Sequence, residues 1–266
     1  MFISFLSDFG HADEFVGVVH GVIARLAPDV RVIDVNHGIP PGAVRAGALS
    51  LTRSVQYLPE GVVLAVVDPG VGTSRRAIAA VTADGMTFVG PDNGLLGPAV
   101  ATMGGAERIH EITNPEARIP SAGATFAGRD VFAPAAALLA SGEATIEELG
   151  PAVEADSVTP LLIPLPEVEP SKVVGEAWWV DRFGNVQANI GPEDLALAGI
   201  TRDVTVTVRI GSTEREVPWV DAYGEVEDGE PLLHVDSSGL MALAVRGGSA
   251  TEYFSLATGT ALTLAG

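Results

Sequence analysis

The segment 62–67 most constrains the fold, because it is a continuous run of apolar, mostly β-branched residues that ends in the turn sequence Asp68-Pro69-Gly70. Such a run suits a strand that is buried on both faces of a parallel sheet. Asp68 then lies at the carboxyl end of the strand, and ligands of open α/β sheets bind in the crevice beyond these ends. An Asp that only caps a turn would have the same local sequence. The segment therefore predicts a parallel sheet and makes Asp68 a candidate site residue.

Strand-like and helical segments alternate through the first half of the chain. The strand-like segments are 2–6, 30–35, 62–67, 77–81 and 86–89, and the helical ones are 13–26, 43–58, 95–103 and 131–140. This alternation is typical of a sheet covered by helices. We therefore predict an α/β N-terminal domain with a mainly parallel sheet.

The pattern changes after Gly150, where prolines punctuate a stretch without helical periodicity that extends to Pro170. We interpret this stretch as a linker. The strand-like segments beyond it are short and are separated by Gly, Asp and Ser; they are 173–180, 204–210, 232–235 and 241–245. This spacing favours a small all-β, barrel-like domain. We predict two domains, 1–165 including the linker and 172–266.

Composition narrows the classes of partner. The 266 residues carry a formal net charge of −19 and no cysteine. The charge disfavours nucleic acid and anionic membranes as partners, and the lack of cysteine excludes disulfides and thiolate catalysis. The N-terminal residues lack a basic signal region, and no apolar run approaches membrane-spanning length. We therefore expect a cytoplasmic protein that acts on a small molecule.

Polar residues cluster at other predicted strand ends and helix starts. Asp8 follows the first strand, where its carboxylate could accept hydrogen bonds from a ribose diol or could simply cap a helix. Asp13 lies at the start of the next predicted helix, and Asn93 belongs to an Asp-Asn-Gly turn. Phe126 lies two positions before Gly128 and offers either a flat wall for a base or a core side chain. The sequence alone leaves each pair of alternatives open.

The segment 179–189 in the β domain groups a carboxylate, an aromatic ring and amides along one predicted hairpin. Asn185 could hydrogen bond the edge of an adenine, and Asp181 could hold an ammonium group. A solvated polar hairpin is the alternative.

Several common site patterns do not fit. Arg75 stands where the dinucleotide fingerprint beginning at Gly70 needs its last glycine, and no lysine follows at P-loop spacing. The five histidines are scattered without zinc-ligand spacing, and no serine lies in a nucleophile-elbow sequence. His37 follows the second strand and could be a site residue, but we interpret it as a structural histidine. We expect no metal and no redox cofactor.

Taken in order, the clusters resemble the S-adenosylmethionine hydrolase (adenosine-forming) family, also called SAM hydroxide adenosyltransferases, which is related to the fluorinases and chlorinases. The motifs that carry the resemblance are Ser-Asp-Phe-Gly at 7–10, Val-Asp-Pro-Gly-Val-Gly-Thr at 67–73, Gly-Pro-Asp-Asn-Gly-Leu-Leu at 90–96, Thr-Phe-Ala-Gly-Arg-Asp at 125–130, Asp-Arg-Phe-Gly-Asn at 181–185 and Ser-Ser-Gly at 237–239. Six ordered motifs cover nearly the whole chain, which makes the resemblance specific.

The resemblance implies hydrolysis of S-adenosyl-L-methionine to adenosine and L-methionine, by attack of water or hydroxide at the ribose C5′ carbon. It also implies a homotrimer with active sites at subunit interfaces. Asp68 and Arg75 match two of the groups that the family associates with the attacking water. The implied binding roles are ribose hydroxyls for Asp8, the methionine amino group for Asp13 and Asp181, adenine for Phe126, Tyr223 and Asn185, and the methionine carboxylate for Ser237. Further substrate-binding candidates in or beside the same motifs are Asn93, Thr125, Phe183 and Ser238.

One position departs from the family pattern, which has a histidine where this chain has Ala127. Natural variation and deliberate replacement both explain an alanine here, and the intact motif around it favours replacement. Loss of a general base or water-orienting group lowers a rate by about 10²–10⁴-fold. We therefore expect impaired catalysis with substrate binding retained.

Two alternative functions follow from the same residues. The halogenases that resemble this sequence carry a tyrosine at the position of Asp68, and a carboxylate there would repel a halide. Ala127 instead suggests a second hypothesis, that the protein binds S-adenosylmethionine or adenosine without catalysing a reaction. We favour the hydrolase over both.

Overall fold

The computed structural model describes residues 1–202 and 205–266. The chain divides into two compact units, Met1–Leu162 and Ile163–Gly266. Each unit has a hydrophobic core of its own. Among the described residues, no helix is both long enough and apolar enough to span a bilayer.

The first unit is a layered α/β structure. Its strands are β1 (Phe2–Ser7), β2 (Arg31–Asn36), β3 (Gly61–Val66), β4 (Ala77–Thr82), β5 (Thr87–Pro91) and β6 (Ala106–Glu111). Its helices are α1 (Phe15–Leu26), α2 (Val44–Val55), α3 (Gly97–Thr102) and α4 (Ala133–Ser141).

The strand order in this sheet is β2-β1-β3-β5-β4-β6. Neighbours from β2 to β5 pair in parallel, whereas β4 is antiparallel to both β5 and β6. This confirms the predicted α/β unit with a mainly parallel sheet. Every residue of β3 is buried, as its uninterrupted apolar sequence indicates. In the β1–β3 register Ser7 pairs with Val66, so Asp8 and Asp68 follow the ends of two adjacent strands.

Two local features of the first unit were not predicted. The strand β6 lies at the edge of the sheet, and its sequence alternates polar and apolar residues too weakly to stand out. Before α4, residues Gly128–Phe132 form a π-helical turn, where the sequence pattern predicts ordinary helix from 131. Such turns insert an extra residue and are frequent at functional sites.

The proline-rich stretch after Gly150 is fastened to the first unit over its initial part. The Asp92 carboxylate accepts hydrogen bonds from the Thr159 amide and from Arg76 Nε, both at 2.8 Å. Arg76 also donates to Ser157 Oγ at 3.1 Å. Further along the stretch, β7 (Glu167–Glu169) belongs to the second unit and pairs with its next strand, β8 (Lys172–Val180).

The second unit is an antiparallel barrel-like sheet. Its strands after β7 are β8 (Lys172–Val180), β9 (Val186–Ala188), β10 (Thr205–Ile210), β11 (Thr213–Pro218), β12 (Pro231–Val235), β13 (Met241–Val245) and β14 (Ala261–Ala265), and its helices are α5 (Pro192–Leu197) and α6 (Ala250–Phe254). The order is β11-β10-β14-β8-β9-β13-β12, and a bridge between Trp219 and Leu233 brings the two ends together. The predicted barrel-like all-β unit is confirmed. The strand predicted over 204–210 begins at Val204, which lies outside the described residues.

Candidate functional site

The turn after β3 brings Arg75 back onto Asp68. The Val71 amide donates to the Asp68 carbonyl at 3.2 Å, and the Thr73 hydroxyl donates to the Gly70 carbonyl at 2.7 Å. Gly72 has a φ of +79°, a left-handed conformation that glycine adopts at no steric cost. The chain thus reverses within a few residues, which is why Asp68 and Arg75 meet although they are seven positions apart.

The Asp68–Arg75 pair is a partly buried ion pair with several hydrogen bonds. Arg75 Nε donates to Oδ1 and Oδ2 of Asp68 at 2.8 and 3.0 Å, and Nη2 donates to Oδ2 as well. The two side chains are 6% and 15% exposed, respectively. The Arg75 guanidinium also lies over the Phe132 ring, 5.0 Å from its centroid. A carboxylate held in this way keeps lone pairs for a water molecule while its orientation is fixed.

Asp8 lies beside this pair at the end of β1. Its Oδ2 accepts a hydrogen bond from the Gly42 amide at 2.8 Å. Burial raises the pKa of Asp8, and the nearby charge of Asp68 raises it further, while the bonds from the Gly42 amide and its own amide oppose this rise. Two carboxylates therefore converge on one edge of the sheet, as their positions after adjacent strands predict.

Aromatic rings form one wall of the same region. The Phe126 ring packs edge-on against Phe15 and Phe9, with centroid distances of 5.1 and 5.7 Å. A Cβ added at Gly128 would lie 2.8 Å from the Phe9 ring and 3.3 Å from the Phe126 ring. Glycine at 128 therefore allows the two phenylalanines to pack closely there.

These groups enclose a small cavity that we call the Asp68 cleft. It has a volume of about 60 Å³ and is lined by Asp8, Phe9, Val66, Asp68, Val71, Thr125, Phe126, Ala127 and Gly128. Pockets that bury a whole drug-sized ligand measure about 300–1,000 Å³. The Asp68 cleft can therefore hold only part of a nucleoside-sized molecule.

Ala127 lines two cavities at once. Besides the Asp68 cleft, it borders a cavity of about 330 Å³ on which Arg75, Arg118 and Asp130 also lie. The side chain at position 127 consequently stands where a larger group would contact both spaces. This is the position at which the family resemblance places a histidine.

Two further candidates of the first unit lie outside the Asp68 cleft lining. Asp13 is exposed in the loop before α1. Asn93 donates from Nδ2 to the Val67 carbonyl at 2.8 Å and accepts from the Leu95 amide at 3.1 Å. Asn93 therefore fixes the backbone next to Asp68, and its role in substrate binding stays a prediction.

The second unit has a separate concave surface, which we call the hairpin cleft. It has a volume of about 510 Å³ and is lined by Asp181, Phe183, Asn185, Tyr223, Val245, Gly247 and Gly248. Four candidates that the sequence spreads over more than 40 positions thus line one cleft. Phe183 is 73% exposed, an unusual setting for a large apolar ring.

The hydrogen bonds of Asp181 shape the hairpin cleft. Asp181 Oδ1 accepts from the amides of Phe183 and Asn185 at 2.8 and 2.9 Å, and its Oδ2 accepts from Asn185 Nδ2 at 2.8 Å. Asn185 Nδ2 also lies 3.4 Å from the Tyr223 hydroxyl. Burial raises the pKa of Tyr223, and the charges of Asp181 and Asp236 add to the rise. Tyr223 therefore remains a protonated phenol that can donate a hydrogen bond at neutral pH.

Ser237 and Ser238 are exposed in the turn after β12 and do not line the hairpin cleft. The Asp236 carboxylate holds this turn by accepting from the amides of Ser238 and Leu240 at 2.8 and 3.1 Å. The serine hydroxyls are accessible for a ligand, and their assigned role stays a prediction.

Sequence reasoning missed some cleft residues. Phe9 lies within the Ser-Asp-Phe-Gly motif, so its place beside Asp8 could have been inferred. Val71 lies in the family motif at 67–73, so it too could have been inferred, whereas Gly247 and Gly248 carry no sequence signal beyond turn composition. In the parts of the chain that the structure describes, no group of three His, Asp or Glu side chains is placed to hold a metal ion.

Comparisons with known proteins match both units of the chain. The profile of the SAM hydroxide adenosyltransferase N-terminal domain matches residues 3–150, and that of the C-terminal domain matches residues 175–263. A Salinispora tropica protein named (R)-S-adenosyl-L-methionine hydrolase is 47% identical over 98% of this chain and 96% of its own. A Thermus thermophilus protein of the same name is 41% identical over 97% of this chain and 96% of its own.

The fold and the more distant relatives agree with these matches. The crystal structure of an uncharacterized conserved protein from Thermotoga maritima covers 99% of this chain and 100% of its own, with a TM-score of 0.91 and 39% identity. Proteins named fluorinase match at lower identity, for example 27% over 98% of this chain and 96% of its own for one from an Actinoplanes species. Two matching profiles and near full-length relatives above 40% identity confirm the resemblance that the ordered motifs indicate, and the chain belongs to the SAM hydroxide adenosyltransferase family.

Proposed function

We propose that this protein is an S-adenosyl-L-methionine hydrolase that forms adenosine and L-methionine. The observation that carries the proposal is the identity of 41–47%, over nearly the whole chain, to proteins named (R)-S-adenosyl-L-methionine hydrolase. Asp68, which lines the Asp68 cleft and is held by Arg75, supports it, because the reaction needs a group that orients water.

The chemistry is a nucleophilic displacement at the ribose C5′ carbon. The water oxygen forms a bond to C5′, the C5′–S bond breaks, and its electron pair stays on sulfur. The sulfonium leaves as the neutral thioether of methionine, so the leaving group needs no acid. The enzyme must hold one water in line with the C–S bond and accept its proton. Asp68, fixed by Arg75, is the proposed acceptor for a hydrogen of that water.

The other candidates are proposed as binding groups. In the first unit Asp8 would hold the ribose hydroxyls and Phe126 would flank the adenine, with Thr125 beside it. In the second unit the hairpin cleft would bind the methionine amino group and the adenine, through Asp181, Asn185, Phe183 and Tyr223. The remaining proposed contacts are those of Asp13, Asn93, Ser237 and Ser238.

We propose further a cytoplasmic homotrimer with active sites at subunit interfaces, and a reaction that needs no metal or other cofactor. Multi-angle light scattering of the purified chain tests the trimer. Unchanged adenosine release after dialysis against a chelator is the expected result for cofactor independence.

The test of the function is a chromatographic product assay on S-adenosyl-L-methionine, with this chain and Ala127→His compared in buffers with and without chloride. We expect Ala127→His to release adenosine faster by about 10²–10⁴-fold, whether or not chloride is present. Formation of 5′-chloro-5′-deoxyadenosine would instead identify a halogenase. We expect none, because the carboxylate of Asp68 borders the cleft where a halide would have to bind.

A ligand-binding protein without catalysis is the second candidate, and Ala127 is the observation that favours it. An alanine methyl offers no proton acceptor at a position that lines the Asp68 cleft. This candidate predicts that both versions bind S-adenosylmethionine and that neither releases adenosine. That result would end the hydrolase proposal.

A further inference from the structure

A chain of hydrogen bonds begins at Ser7, next to Asp8; it is buried at Ser7 and His37 and reaches the surface at Asp34 and His20. Ser7 Oγ lies 2.7 Å from His37 Nδ1, and His37 Nε2 lies 2.9 Å from Asp34 Oδ1. His20 Nε2 reaches the same Asp34 oxygen at 2.8 Å. The His37 side chain is 1% exposed and Ser7 is fully buried. Buried polar groups such as those of Ser7 and His37 are costly unless each of them is hydrogen-bonded.

The residue types are those of a catalytic serine triad, but the burial excludes that chemistry. No substrate can reach a fully buried serine hydroxyl, and Ser7 Oγ also accepts a hydrogen bond from the Phe9 amide at 3.3 Å. These hydrogen-bonded residues must therefore act on the structure of the protein around them and not on a substrate.

The ionised state of Asp34 decides which group donates each hydrogen bond between Asp34, His37 and Ser7. Burial opposes its ionisation, but the hydrogen bonds from His37 and His20 outweigh burial and lower the pKa of Asp34. The ionised carboxylate only accepts, so His37 donates from Nε2 and keeps a lone pair on Nδ1. The Ser7 hydroxyl then donates to Nδ1, and its oxygen remains free to accept from Phe9. All three partners are satisfied only when His37 is neutral.

The same chain holds the loop that carries Asp8. Ser7 and Phe9 flank Asp8 in sequence, and the Gly10 amide donates to the His37 carbonyl at 2.8 Å. A few residues after His37, the Gly42 amide donates to the Asp8 carboxylate at 2.8 Å. The segment from His37 to Gly42 is thus bonded to the Asp8 loop through a side chain, a backbone carbonyl and a backbone amide.

We propose that neutral His37 is a positioning residue for Asp8, and that protonation of His37 loosens the Asp8 loop and weakens nucleoside binding. The proposal rests on the proposed function, because it assigns the nucleoside site to Asp8. A protonated ring would carry a hydrogen on Nδ1, so the Ser7 hydroxyl would lose its acceptor and the Ser7–His37 bond would have to reverse.

The charged and titratable groups around His37 set the pH at which its ring is protonated. Asp34 on β2 favours the protonated ring, whereas His11 in the loop after β1 and His20 on α1 oppose it. The His11 ring lies 5.3 Å from the His37 ring, and the apolar ring of Phe5 lies at 4.5 Å. Burial is the largest influence and lowers the pKa of His37, with Asp34 opposing it. The ring is therefore neutral at physiological pH.

The variants that test the proposal mimic one ring nitrogen at a time. His37→Asn places an amide oxygen near the Nδ1 position, so it can still accept from Ser7. His37→Gln places its amide near the Nε2 position and removes the acceptor for Ser7. Ser7→Ala removes only the hydroxyl and serves if a His37 variant fails to fold. His110→Asn is the matched control, because His110 is a half-buried histidine of β6 that bonds a backbone carbonyl, that of Gly150, at 2.8 Å.

The experiment is equilibrium binding of adenosine to the purified full-length chain, with circular dichroism to verify folding. We expect His37→Gln and Ser7→Ala to weaken binding by about 10-fold, the effect of one lost hydrogen bond, and His37→Asn to weaken it less. His110→Asn should bind like the parent. Lowering the pH from about 8 to about 5 should weaken binding of the parent more than binding of His37→Asn, which has no ring to protonate.

A purely structural histidine gives a different result. Folded His37→Gln and Ser7→Ala would then bind adenosine as the parent does, which would overturn the positioning role and leave the proposed function intact. If the parent chain binds neither adenosine nor S-adenosylmethionine, the proposed function fails, and the role assigned to His37 fails with it.

Discussion

Arg75 donates from Nε to both carboxylate oxygens of Asp68, and this bond fixes the carboxylate at the wall of the cleft. Weakening a partly buried hydrogen bond between charged groups costs about 1.5–3 kcal/mol of stability. We therefore expect Asp68→Asn to lower the free energy of unfolding by that amount and to abolish adenosine release when introduced into Ala127→His. Urea denaturation and the product assay measure the two effects.

The pair Arg76–Asp92 provides the matched control for that prediction. Its carboxylate side chain is 3% exposed, close to the 6% of Asp68, and it lies in the same unit. Asp92→Asn should cost similar stability while the folded protein still releases adenosine. Equal residual activity of the two variants would contradict a special role for Asp68.

The close packing at Gly128 predicts a steric effect of substitution. A serine Cβ would clash with the Phe9 ring and crowd the Phe126 ring, and overpacking of this kind costs about 1–3 kcal/mol. We expect Gly128→Ser to lower the melting temperature and to weaken adenosine binding by displacing the rings. Gly123→Ser is the control in the same loop region, because nothing lies within 4 Å of a Cβ added there. Thermal unfolding that is the same for both variants would argue against this packing account.

The sequence anticipates those parts of the site that depend on strand order. The apolar run at 62–67 predicts a fully buried strand. The closeness of Asp8 and Asp68 follows from the rule that the carboxyl ends of parallel strands meet at one edge of the sheet. The bond between Asp68 and Arg75 depends on a glycine turn whose geometry no periodicity reveals. The two-sided exposure of Ala127 to neighbouring cavities likewise depends on packing.

Long-range side-chain contacts mark the limit of sequence-based inference. The place of His37 after a predicted strand does not reveal that it bonds Ser7 from 30 positions away. Asn93 matches a family motif, and only its bonds to Val67 and Leu95 show that it braces the backbone. The edge strand β6 was missed for a related reason, since an edge strand buries little apolar surface and needs no strong pattern.

Because the ring of Phe183 is exposed, we predict that its removal changes ligand affinity but not the stability of the fold. Because the ring is 73% exposed, Phe183→Ala should leave the free energy of unfolding within about 0.5 kcal/mol of the parent. If the ring covers a ligand in the hairpin cleft, binding of S-adenosylmethionine should weaken by about 10-fold, as measured by calorimetry. Leu197→Ala is the control, since Leu197 is an equally exposed apolar side chain of the same unit, at 77%. Unchanged affinity in Phe183→Ala would remove this ring from the site.

The raised pKa of Asp8 predicts a pH-dependent gain of stability on its replacement. Burial makes the charged form of Asp8 costly, so the folded state holds the proton more tightly than the unfolded state does. The cost is present at pH values above the raised pKa and fades as the pH falls below the ordinary value of 3.8. Asn keeps an oxygen for the Gly42 amide and carries no charge. Asp8→Asn should therefore be more stable than the parent at about pH 7 and differ less at about pH 4, as urea denaturation at both pH values would show.

The control for Asp8→Asn is a carboxyl group whose pKa is shifted in the opposite direction. Adenosine affinity gives a second test of the Asp8 variant. Hydrogen bonds from its own backbone amide and from Arg108 lower the pKa of Glu147, so Glu147→Gln should be no more stable than the parent at neutral pH. Because Asp8 is the proposed ribose ligand, its Asn variant should gain stability and lose adenosine affinity together. A gain in stability with full affinity would show that the carboxylate at position 8 serves something other than the nucleoside, since a buried charge that costs stability is retained where the charge itself is needed.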